Sequence, residues 1–150
     1  MARAIGLVAA SKRRRGGIAP ARDQFDPSPV FRRARDYCER TYAEWYILSA
    51  RHYVLSPHQV IGPDDLSIHT LEADERLVWA QRVALALFAR QERSAEPLRF
   101  ALYTSQRYAD LLLRAAPTLA IELPLSGLGL SQRLRWYDQR LRIRSRVLAR

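Results

Sequence analysis

The sequence predicts a three-layer α/β domain, in which a mostly parallel sheet of about four strands carries helices on both faces. Three observations predict it. Short apolar runs alternate with longer segments of helical periodicity along the chain. The run from Trp45 to Leu48 has no polar interruption, the pattern of a strand buried on both faces. A length of 150 residues, 48% of them apolar, is enough for one core without cross-links. The chain therefore reads as a single domain over residues 1–150. Strands joined by helices imply right-handed crossovers, which gather the loops after the strands on one rim.

The first apolar run, Ala4 to Ala10, reads as a strand. A basic loop over residues 11–22 follows, beginning Ser11-Lys-Arg-Arg-Arg-Gly-Gly17. Ser11, Lys12, Arg13, Arg14, Arg15 and Arg22 are candidate phosphate ligands, because glycine lets backbone N–H groups close on an oxyanion while cations neutralise it. The loop lacks the Gly-Lys-Ser/Thr ending of a Walker loop. A solvated basic loop is the competing reading. Asp26-Pro-Ser-Pro29 then signals a helix start, with Ser28 as N-cap and Pro29 in the first turn. That helix should run to about Arg40, with Val30, Ala34, Tyr37 and Cys38 inward.

The strand from Trp45 turns polar at Ser49, Arg51 and His52, and the carboxyl ends of strands are where open α/β sheets bind ligands. Tyr53 to His69, broken by Pro57, Gly62 and Pro63, reads as an irregular segment packed down as an ordered lid or wall. Glu72 to about Gln91 is the longest helix, with a stripe of Leu77, Ala80, Ala84, Leu87 and Phe88 broadened by Val78 and Leu85. Leu98 to Thr104 is the third strand, and Gln106 to Ala116 is a helix stopped by Pro117. Ala120 to Leu125 is the fourth strand, whose Pro124 marks an end or an edge. Ser126-Gly-Leu-Gly-Leu-Ser131 turns into a last helix. The rim should thus gather Ser11 to Arg15, Ser49 to His52, Thr104 to Arg107 and Ser126 to Ser131, which adds Ser126, Gly127 and Gly129 to the ligand-binding candidates.

The net charge of +10 is unevenly spread. Residues 1–35 carry nine Lys or Arg and two Asp, residues 36–130 nine cations and twelve acids, and residues 131–150 seven Arg and one Asp. Two basic ends around an acidic middle suggest surfaces that attract a polyanion, most simply nucleic acid. Arg133, Arg140, Arg142, Arg144 and Arg146 of the basic C-terminal helix or tail, 131–150, are candidates for its backbone. The single cysteine, Cys38, excludes an internal disulfide framework. No apolar run reaches the roughly 18 residues of a membrane span, and the amino terminus lacks a secretory pattern. The reading is a cytoplasmic protein without membrane contact.

His52 is the most informative histidine, because it follows a buried strand directly. It could serve as general acid or base, or it could pin the loop by a structural hydrogen bond. Asp65 is a candidate for activating water, and ordinary turn chemistry is its alternative. His58 and His69 read as loop residues. The three histidines lack metal-ligand spacing, so no metal and no cofactor are expected.

Several blocks resemble a family of small bacterial and phage domains of unknown function, distantly similar to the peroxide-stress protein YaaA and to the uracil-DNA glycosylase-like fold. They are Ser11-Lys12, Pro20-Ala21-Arg22, Pro29-Val-Phe-Arg-Arg-Ala-Arg35, Ile47-Leu-Ser-Ala-Arg-His52 and Pro124-Leu-Ser-Gly-Leu-Gly129 leading to Leu134-Arg-Trp136. The resemblance implies an α/β domain with Ser49, Arg51 and His52 near a central pocket. The chain departs from that pattern at Tyr53-Val54, Asp64 and Ala10. Three functions follow as expectations: a nucleic-acid- or nucleotide-binding domain connected with DNA modification or repair, an N-glycosidase acting on a nucleobase, or a non-catalytic subunit docking on an acidic protein or RNA.

Overall fold

The computed structural model describes residues 2–148, with side chains up to residue 142. In chain order the elements are β1 (Arg3–Ala9), β2 (Ala19–Pro20), α1 (Ala21–Gln24), α2 (Pro29–Thr41), β3 (Trp45–Ser49), β4 (Tyr53–Leu55), β5 (Val60–Ile61), a 3-10 turn (Ile68–Thr70), α3 (Ala73–Glu92), β6 (Leu98–Tyr103), α4 (Gln106–Ala115), β7 (Ile121–Glu122) and α5 (Leu130–Leu148). The fold is mixed α/β. Its main sheet has five strands in the order β4-β3-β1-β6-β7, all parallel except β4. β2 and β5 form a separate antiparallel pair.

β1 is central because its side chains are buried to either side, as a parallel strand between two neighbours requires. Val8 joins a cluster with Phe31, Ala34 and Cys38 of α2 and Tyr137 of α5, while Ile5 and Leu7 join one with Trp79, Val83 and Leu87 of α3 and Leu112 of α4. Gly6 lets the chain after α2 come close, since a Cβ there would lie 2.7 Å from Tyr42 Cδ2. α2 starts as its sequence predicts, with Ser28 Oγ accepting from Phe31 N at 3.2 Å and Pro29 in the first turn. The chain crosses from β1 through α2 to β3 on one side, doubles back as β4, and passes through α3 to β6 on the other side of β1, from which α4 leads outward to β7. The gap between the carboxyl ends of β1 and β6 is the topological switch point.

Two expectations need correction. The segment from Tyr53 is irregular only in part, because Ser49-Ala50-Arg51-His52 make a tight turn and the chain returns as β4, a fifth strand where about four are predicted, before β5 and an irregular stretch over 62–67. Tyr53 takes φ 61° to close that turn. The buried stripe of α3 is Trp79, Ala80, Val83, Ala84 and Leu87, whereas Leu77, Val78 and Leu85 are exposed. The indole of Trp79 donates to Ser49 O at 2.9 Å, which fixes the rotation of the helix on the sheet.

At the amino end of the sheet, Glu44 accepts two bonds from Arg90, at 2.7 and 2.8 Å, and one from Arg3 at 3.0 Å. Chiefly through Arg90, its carboxyl is held down at about 2, against an ordinary 4.5. The depressed value makes this stabilisation complete above about pH 4.5 and lost as pH falls through about 2. Glu44→Gln should therefore cost about 1 kcal/mol at pH 7 and much less near pH 2, readable by urea denaturation at the two pH values.

Candidate anion-binding cleft

β1 ends at Ala9 and β6 at Tyr103, and the chain beyond each turns away from the sheet. Between them opens a cleft of about 250 Å³. Its polar wall includes Ser11, His69, Thr104, Ser105, Tyr108 and Arg133; its apolar wall includes Val30, Phe31, Leu125 and Tyr137. A smaller cavity shares Ser11, Thr104 and Tyr108 and adds Arg14, Ser67 and Trp79. No Asp or Glu lines either.

Residues of the cleft wall carry unused donors. Thr104 Oγ1 and Arg133 Nε are shut off from solvent and find no hydrogen-bond partner among the described residues. α4 begins at this wall with Ser105 as N-cap, yet the Ser105 side chain makes no capping bond and the first turn holds no acid. The first main-chain N–H to be satisfied is that of Ala109, on Ser105 O at 3.2 Å, so the amides of residues 106–108 point out of the helix end unpaired. Positive ends of helices and unpaired N–H groups favour anions.

His69 completes the wall. Its Nε2 lies 3.0 Å from Tyr108 Oη, with the ring centroids 5.4 Å apart. Burial lowers its pKa below the ordinary histidine value, and the charges of Arg107, Lys12 and Arg76 push the same way. At neutral pH the imidazole is uncharged, so the pair can exchange one hydrogen bond in either sense. Burial likewise pushes the Tyr108 phenol up to about 12.

The predicted residues divide. Ser11 lines the cleft, with its hydroxyl donating to Arg13 O at 2.6 Å. Lys12 and Arg13 are exposed and bond to no carboxylate among the described residues. Arg14 is engaged within the protein, its guanidinium pairing with Asp64 Oδ1 at 2.8 Å and donating to the carbonyls of Asp64 and Leu66, while its Nε finds no partner among the described residues. Arg15 pairs with Asp26 at 3.0 Å, and Arg22 clamps Glu39 through two bonds of 2.6 and 2.9 Å.

Ser49, Arg51 and His52 line neither cavity. The Ser49 hydroxyl accepts from the N–H groups of Arg51 and His52, at 3.2 and 3.1 Å, and closes the β3–β4 turn. The return of the chain as β4 carries the turn off the site; only Ala50 stays at the smaller cavity. Asp65 is exposed and lines neither cavity, while Asp64 is the turn residue. Ser126, Gly127 and Gly129 form the connection into α5, with Gly127 at φ 80° and Gly129 N donating to Gln132 Oε1 at 2.9 Å. They lie outside the cleft lining, which takes Leu125 from this stretch. Arg140 stacks on Trp136 at 3.7 Å from the ring centroid, and Arg142 is exposed. The side chains of Arg144 and Arg146 lie outside the described residues. Among the described residues no three His, Cys, Asp or Glu are grouped to hold a metal, and no helix is long and apolar enough to cross a membrane.

Residues 5–139 match the model of a family described as a family of unknown function, DUF6884. The chain belongs to that family. A search of curated proteins found no match, and a search of solved structures found none. Membership in DUF6884 agrees with the resemblance to small domains of unknown function, and nothing found supports the further likeness to the peroxide-stress protein or to the glycosylase-like fold. Sequence reasoning left out His69 and Tyr108 of this cleft, and it placed Thr104 and Ser105 on the rim without naming them as ligand-binding. One signal was available: Thr104-Ser105 joins a buried strand to a helix whose first residues, Gln106-Arg107, include no acid to answer the helix end.

Proposed function

We propose that this DUF6884 chain is a nucleotide- or nucleic-acid-binding domain whose switch-point cleft holds a phosphate. In it, helices cover both faces of the sheet as three layers. The observation that carries the reading is that Arg133 and Thr104, each with a polar atom left without a partner, and the uncapped start of α4 line one cleft without a carboxylate. Donors without partners are costly, and an oxyanion at the α4 start satisfies its amides and, once the Thr104 and Arg133 side chains turn toward it, those two groups as well. Lys12 and Arg13, exposed beside the cleft, supply attraction to a longer polyanion. Binding is preferred over glycosidic cleavage because the carboxylate that cleavage calls for is missing from the cleft walls.

Two titrations test this. Gel shifts with DNA or RNA of arbitrary sequence should show binding at low salt that weakens steeply as salt rises, and Lys12→Ala with Arg13→Ala should flatten the slope. Amide NMR with a nucleoside monophosphate should give saturable shifts at residues 104–108 that survive His52→Ala. Shifts spread over the surface without saturation would refute the cleft.

A further inference from the structure

We infer that the cleft is built for a terminal phosphate, a monoester on a nucleotide or at a strand end, rather than for the phosphodiester interior of a strand. The inference rests on the cleft being the phosphate site proposed above.

The donor count is the first argument. The amides of residues 106–108, the Thr104 hydroxyl and the Arg133 guanidinium are all unanswered by the described protein. Arg133 forms no ion pair with any described carboxylate, although Asp138 on the same helix is engaged 2.8 Å from Arg33. A monoester turns three non-bridging oxygens toward such a set, each able to accept more than one bond. A diester offers two, and its second ester oxygen is a poor acceptor.

Charge is the second argument. Arg133 lines the cleft, Lys12, Arg107 and Arg76 are near enough to oppose protonation of His69, and no acid answers them in the lining. A monoester carries about −1.5 to −2 at neutral pH, against one charge on a diester.

Calorimetry at pH 7.5 should compare a nucleoside 5′-monophosphate with the methyl ester of the same phosphate, using wild-type protein and Arg133→Ala. The monophosphate should bind about tenfold tighter or more, and Arg133→Ala should erase most of the difference. Competition by a 5′-phosphorylated oligonucleotide, set against its unphosphorylated twin, distinguishes a strand end from a free nucleotide as the source of the monoester. Equal affinity for monophosphate and methyl ester would overturn the inference while leaving the phosphate site standing. If neither ligand binds, both fall.

Discussion

Arg14→Ala should lower the stability of the domain by about 3 kcal/mol, the range found when one partner of a largely buried pair is removed. The Arg14 side chain is 10% exposed and that of Asp64 15%, and the guanidinium also holds two carbonyls of the same segment. Losing it leaves Asp64 unpaired and unfastens the loop after β1 from the segment before the 3-10 turn. Both frame the cleft, so phosphate binding should fall with stability. Arg14→Lys should fare little better, because an ammonium cannot fork across three acceptors. Arg13→Ala, one position away on an exposed side chain, should move the denaturation midpoint by less than about 0.5 kcal/mol. Urea denaturation of the three variants checks the contrast; equal effects of Arg13→Ala and Arg14→Ala would show that the loop is not fastened this way.

Arg133→Met is the opposite case. Binding of a nucleoside monophosphate should weaken about ten- to a hundredfold, the equivalent of one charge-assisted hydrogen bond. Stability of the free protein should hold or rise, since Arg133 Nε is buried without a partner and its removal relieves a desolvation cost. Functional groups held at the expense of stability behave in this way, and a structural arginine does not. Thermal melts with and without ligand separate the two: ligand should raise the midpoint of the wild type and leave that of Arg133→Met almost unmoved.

The frame was legible because its signals are local. Ser28 with Pro29, the apolar runs of β1, β3 and β6 and the edge position of β7 beside Pro124 can each be read within a few residues. The site was legible only as a rim. Two of the four predicted loops, after β1 and after β6, do meet at the cleft, because the sheet order places those strands side by side. His52 misled because the end of a buried strand looks the same whether the chain leaves the sheet or doubles back on it. That choice was made by the Ser49 hydroxyl and by a left-handed Tyr53, a conformation that nothing in the residue type announces. His69 was unreadable for the reverse reason: its significance depends on Tyr108, 39 positions away. The rotation of α3 was likewise set by a contact between Trp79 and the distant Ser49 carbonyl.

Cys38 has no accessible surface and burial raises its thiol pKa well above the ordinary value, so the folded protein presents neither a route to the sulfur nor a thiolate. It is also the one thiol in the chain. Alkylation of this protein can therefore proceed only from molecules that have opened between α2 and β1, and the rate of labelling becomes a clock for that opening. Mass spectrometry of a timed thiol-labelling reaction would then rank every variant above by its opening equilibrium, with no dye, no added chromophore and micrograms of protein.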